Sequence, residues 1–175
     1  MKVVRELYDR DFVLPDKMSA ADPIYTLKVI IMNDSANVAV ISIANPPINT
    51  FPTGLLDGES YSDETVCKIA EVKTGCPCKI IGRMGTVFEN SAALDTVRYT
   101  SVVLVKATRM PTKSEEEKLD SKTLWCSIDN AYNVIKGLSG KKDLSERYAR
   151  QRDILALDVL VKYLNAPPDI YRYDF

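Results

Sequence analysis

Histidine is absent from all 175 residues, and this absence excludes a long list of chemistries. No Ser-His-Asp triad, Cys-His pair, HExxH zinc site, histidine base or histidine pH switch can form within the chain. A dominant charge is also missing. Lys and Arg number 23 against 24 Asp and Glu, so no whole-chain positive field exists to grip nucleic acid or anionic lipid. No stretch approaches the length of uncharged apolar residues that spans a bilayer. The first residues carry Lys2, Arg5 and Glu6 with no apolar stretch behind them, so no secretory signal is expected. A P-loop is lacking as well, because Gly137 to Lys142 has the wrong spacing and no Ser or Thr after the lysine. What remains has ordinary globular composition, with 46% apolar and 27% charged residues. That is enough for one domain with its own core.

The cysteines are Cys67, Cys76, Cys78 and Cys126. A chain of this length does not need disulfides, and Pro77 strains any bond between its two neighbours. We expect four reduced thiols in a cytoplasmic or nuclear, non-secreted protein. Four thiolates match a closed zinc site in number, but no CxxC knuckle is present, so no metal and no cofactor are expected. Lys73 and Lys79 lie close enough in sequence to lower a thiol pKa. A histidine-free thiol enzyme is therefore one alternative function.

Apolar periodicity divides the chain. Residues 1–23 follow no period and read as an extended arm. Residues 24–32 and 38–43 are rich in β-branched side chains, with a turn at Asn33-Asp34 between them, and read as a hairpin. Residues 44–61 carry Pro46, Pro47, Pro52, Gly54 and Gly58 and read as a long loop. Residues 62–74 fit both helical spacing and a poor strand. Ser62 as an N-cap and Gly75 as a stop favour the helix. Strands follow at 78–88, interrupted by Gly82 and Gly85, and at 97–107. The run Val102-Val103-Leu104-Val105 within the latter predicts burial on both faces. Beyond a charged linker at 111–122, helices are expected near 123–138 and 144–165, with Leu155, Leu160 and Leu164 in the core. Strands first and helices last predict an α+β domain with a small, mostly antiparallel sheet. The predicted organisation is a single domain: an arm over 1–23, a β-rich core over 24–110, a linker, a helical part over 123–165 and a tail over 166–175.

Two constellations suggest nucleic acid. Lys79 to Gly85, taken alone, resembles the GxxG loop of KH-type RNA-binding domains, where glycines let the backbone approach phosphates. The strand-like residues Val87 and Phe88 that follow favour a bulged strand instead. Lys141, Lys142, Arg147, Arg150 and Arg152 form a basic cluster, with Tyr148 placed to stack on a base. The competing reading is a solvated helix end. Asp158 lies in the apolar half of the last helix and predicts pairing with a Lys or Arg.

The tail completes the sequence reading. After Pro167-Pro168, the side chains of Ile170, Tyr171, Tyr173 and Phe175 stand outside every core element. The last three share one face of an extended segment, forming a docking strip. Sticky ends on a small core suit a non-catalytic interaction and self-assembly protein, a homo-oligomer of virus-type structural or matrix-like kind. No catalytic residue is assigned. The other alternative function is an RNA-binding module, or one for an acidic protein surface, built on the cluster at 141–152.

Overall fold

A computed structural model describes residues 2–44, 47–137 and 143–166. Among the described residues eight strands form one mixed sheet. They are β1 (Val3–Tyr8), β2 (Pro23–Met32), β3 (Val38–Ile43), β4 (Ile48–Thr50), β5 (Thr53–Leu56), β6 (Cys78–Ser91), β7 (Thr96–Ala107) and β8 (Lys122–Cys126). The helices are α1 (Asp63–Thr74), the short α2 (Lys113–Glu116), α3 (Ile128–Lys136) and α4 (Leu144–Asn165). The main strand order is β1-β6-β7-β2-β3-β4, with β5 on β2 and β8 on β3.

The expectation of a small, mostly antiparallel sheet is corrected here. The central pair β2 and β7 is parallel from Pro23–Val97 to Met32–Lys106, and β1 runs parallel to β6 at the edge. β2 from Leu27 to Ile31 and β7 from Thr100 to Val105 are buried on both faces, as central strands of a two-sided sheet must be. The α+β description survives, since helices cover the two faces of a sheet whose other pairings are antiparallel. Even-numbered residues of β2 and β7, such as Ile30, Val102 and Leu104, face α3 and α4. Odd-numbered ones, such as Leu27, Val29, Val103 and Val105, face Val66 and Ala70 of α1.

Local chemistry explains α1 well. The Ser62 side chain accepts from the Thr65 N–H, and Gly75 closes the helix at φ 68°. The Gly82–Gly85 segment is a doubly bulged strand, shifting register at Ile80/Gly82 and Arg83/Gly85, and not a loop between helices. Gly85 sits at φ 129°, and an added Cβ would stand 2.7 Å from Val4, so the edge strand β1 packs against it only because a side chain is missing.

Four other expectations change. The arm supplies β1, with Leu7 buried, followed by a 3-10 turn at Asp9–Phe12. The long loop contains β4 and β5, and the start of the expected helix at 123–138 is instead β8 pairing with β3. The expected hairpin of β2 and β3 meets only at Met32–Val38 and then forks.

The arm is held by Asp9, 1% exposed, which accepts from Ser91 Oγ at 2.6 Å, Tyr148 Oη at 2.7 Å and the Ala93 N–H at 3.0 Å. Burial works to raise the carboxyl pKa, but the hydrogen bonds outweigh it and hold the pKa below the ordinary aspartate value. The stabilisation is therefore complete above the unfolded value of about 3.9 and is lost as pH falls through the folded one. Asp9→Asn is expected to cost about 1–3 kcal/mol at neutral pH. Denaturant melts as a function of pH should show the gap to wild type closing below about pH 4. A gap that persists unchanged into acid would contradict this assignment.

Candidate functional site

The fork between β2 and β3 creates the cleft. After Met32–Val38 the two strands diverge, and residues 48–56 fill the gap as a wedge, with β4 on β3 and β5 on β2. At the wedge apex the Val29 N–H donates to the Pro52 carbonyl at 2.9 Å. α4 closes the cleft from one side, and Lys73 reaches it from the last turn of α1. The enclosed volume is about 240 Å³.

The lining is cationic and rich in hydroxyls. Lys28, Lys73, Arg98 and Arg152 all border the cleft, together with Thr26, Thr50, Thr53 and Thr100. Ile41, Ile43, Phe51 and Ala149 supply apolar wall. Alternation places the polar groups. Thr26 and Lys28 lie on the same face of β2, and Arg98 and Thr100 lie beside Ile24 and Thr26 in the parallel register. The Thr26 and Thr100 hydroxyls are 2.8 Å apart and hydrogen-bonded.

Two buried carboxylates balance part of this charge. Asp153 of α4 is fully buried and pairs with Lys28 Nζ. It also accepts from Thr50 Oγ1 at 2.8 Å and the Phe51 N–H at 3.4 Å, so it pins the helix to the wedge. Burial pulls the Lys28 ammonium pKa down, and the Asp153 charge works against that pull. Glu89, 1% exposed, accepts from Arg152 Nη1 at 2.5 Å. Arg98 has no such counterpart. Among the described residues its Nε is buried without a hydrogen-bond partner, and it makes no ion pair. Burial and the like charge of Arg152 lower its pKa, and Glu89 opposes them. A guanidinium stays protonated throughout, so Arg98 keeps its charge in the cleft wall.

A cleft of this character suits phosphate or carboxylate. Phosphoryl-transfer enzymes commonly employ divalent cations held by carboxylates, so the donor set bears testing. Among the described residues no three His, Cys, Asp or Glu side chains come together to hold a metal ion. Asp153 and Glu89, which stand behind the cleft, are already committed to Lys28 and Arg152. The residues present do not fit a resident divalent cation.

The residues singled out by sequence are dispersed. Arg152 faces the cleft, while Arg147 lies over the Phe12 ring at 5.1 Å, and Arg150 is half-buried. Tyr148 is wholly buried and donates to Asp9, so it is no base-stacking platform. Lys141, Lys142, Ile170, Tyr171, Tyr173 and Phe175 lie outside the described residues. Asp158 accepts from Tyr132 Oη at 2.6 Å, not from a Lys or Arg. The four cysteines are free thiols. Burial raises the pKa of Cys76 and Cys126, and burial with the neighbouring Cys67 pushes Cys78 up to about 12. Those three thiols are protonated at neutral pH, which removes the pKa-lowering expected of Lys73 and Lys79. Sequence reasoning misses Lys28, Arg98 and the four threonines. For Thr26, Lys28, Arg98 and Thr100 the signal is a pair of polar residues two apart in each of two largely apolar strands, whereas Thr50 and Thr53 lie on β4 and β5 and carry none.

No protein-family model matches the sequence, and no curated protein matches it either. Solved structures do match the fold. A NUDIX hydrolase from Nitrosomonas europaea superposes with a TM-score of 0.59 at 16% identity, covering 87% of this chain and 98% of that one. A MutT protein from Methanosarcina mazei Go1 gives 0.53 at 12% identity over 84% of this chain and 99% of its own. An ADP compounds hydrolase gives 0.53 at 11% identity over 83% of this chain and 75% of its own. At these identities the likeness is one of fold. It overturns the expectation of a non-catalytic, self-assembling structural or matrix-like protein, since the architecture is one that hydrolases use. Among the described residues no helix is long and apolar enough to cross a membrane.

Proposed function

We propose that the chain binds a phosphorylated small molecule of the nucleoside-phosphate class in the forked cleft and hydrolyses a phosphoanhydride bond within it. The observation that carries this reading is Arg98, a guanidinium without an ion pair among the described residues, beside Lys28, Arg152 and four threonine hydroxyls. The hydrolase architecture of the fold neighbours, one of them titled a hydrolase of ADP compounds, supplies the reaction class. The volume of about 240 Å³ is just below the ~300 Å³ at which small-molecule sites usually begin. It suits a diphosphate, with the rest of the molecule lying outside.

In the reaction a water oxygen attacks phosphorus, the anhydride P–O bond breaks, the leaving phosphate keeps the electron pair, and the water's protons pass to the product phosphate oxygens and to solvent. Negative charge develops on the leaving and non-bridging oxygens, where Arg98, Lys28 and Arg152 stabilise it. The loose transition state of phosphoryl transfer asks little of a base, so a chain without histidine is not disqualified. The test is turnover of a panel of nucleoside diphosphates, nucleoside triphosphates and ADP-linked diesters, with products separated by anion exchange. One class should be cleaved, and Arg98→Gln should abolish cleavage while leaving the circular dichroism spectrum intact. A panel wholly uncleaved would contradict the hydrolytic reading.

A further inference from the structure

We infer that the cleft takes its phosphate directly on side-chain cations, with Arg98 as the principal contact and no divalent metal between protein and ligand. The inference rests on the reading of the cleft as a phosphate site. Three observations point the same way. Arg98 lines the cleft and makes no ion pair among the described residues; its Nε is shielded from solvent without a hydrogen-bond partner, and Arg152 repels it more than Glu89, opposite it across β6 and β7, attracts it. The carboxylates that could draw a metal, Asp153 and Glu89, are neutralised by Lys28 and Arg152 and lie behind them. Lys73 adds a further positive charge where it borders the cleft, and among the described residues it too makes no ion pair. A magnesium–nucleotide complex entering this cleft would bring its cation against those of the wall. A bare diphosphate would meet the guanidinium fork of Arg98 and the one hydroxyl proton that the Thr26–Thr100 hydrogen bond leaves free.

Magnesium should therefore compete with the protein for the nucleotide and not assist it. The experiment is calorimetric titration of the full chain with ADP, in EDTA and in excess magnesium, for wild type, Arg98→Gln and Arg98→Lys. ADP should bind in EDTA, and magnesium should leave that binding equal or weaker. Arg98→Gln should weaken it about tenfold or more, the loss expected for one charge-assisted contact, with Arg98→Lys between the two. Removing Arg98 relieves the repulsion by Arg152 and gives up the smaller attraction of Glu89, so the ligand-free melting temperature of Arg98→Gln should change little. That separates lost contact from lost fold. Binding that appears only with magnesium would overturn this inference and leave the proposed function standing. Binding in neither condition would overturn the proposed function itself. Unchanged affinity in Arg98→Gln would remove Arg98 from the site.

Discussion

Asp153→Ala should destabilise the chain by about 3–5 kcal/mol, the cost of stranding a buried charge. Asp153 is fully buried, and its two oxygens serve Lys28 Nζ, Thr50 Oγ1 and the Phe51 N–H. Removing the carboxylate leaves the Lys28 ammonium, itself 3% exposed, without its anion. It also frees the wedge of residues 48–56 from α4. The pair differs from an ordinary stabilising contact in one testable respect. Adding Lys28→Met to Asp153→Ala removes the stranded charge, so the double variant should recover part of the loss. Denaturant titrations of the two single variants and the double one give the coupling energy. Losses that simply add would mean that the ammonium and the carboxylate do not depend on each other.

Leu160→Ala should cost about 2–5 kcal/mol, whereas Leu164→Ala should cost little. Leu160 is fully buried in the cluster that joins Ile30, Val102 and Leu104 of the sheet to α3 and α4. Leu164, one turn further on, is 47% exposed, so deleting its side chain opens no cavity. Leu155 lies between these cases, partly buried against the same cluster. The sequence places all three in the core, because the second half of α4 looks apolar all round. In the last turn Tyr163 still packs on Gly82 of β6, while Leu164 beside it meets solvent. Equal losses at Leu160 and Leu164 would mean that something covers the end of α4.

Local signals were legible where the chemistry is local. The Ser62 cap and the Gly75 stop delimit α1, and the glycines of β6 mark its bulges. The pairing of strands distant in sequence was not legible. Nothing near Pro23 to Met32 says that its partner runs parallel and lies at Val97 to Lys106. The charges Arg5 and Glu6 disguise β1, whose apolar contribution is largely Leu7. The site depends on those long-range pairings. Thr26, Lys28, Arg98 and Thr100 become one surface only when β2 and β7 lie side by side and β3 forks away. Arg152 stands in a basic cluster of the sequence, but its burial on Glu89 follows from the docking of α4. The polar first half of that helix reads as solvated. Instead it buries Tyr148 and Asp153 on the face turned to the sheet.

The central claim, that the forked cleft is a phosphate site, is tested most directly by adding ADP to the isotope-labelled chain in EDTA. Nuclear magnetic resonance then follows the backbone amides and the arginine Nε–H groups. The account predicts saturable shifts centred on Arg98 Nε and on the amides of Thr26, Thr50, Thr53 and Thr100. Shifts confined to another surface, or a spectrum that ADP leaves unchanged, would contradict it.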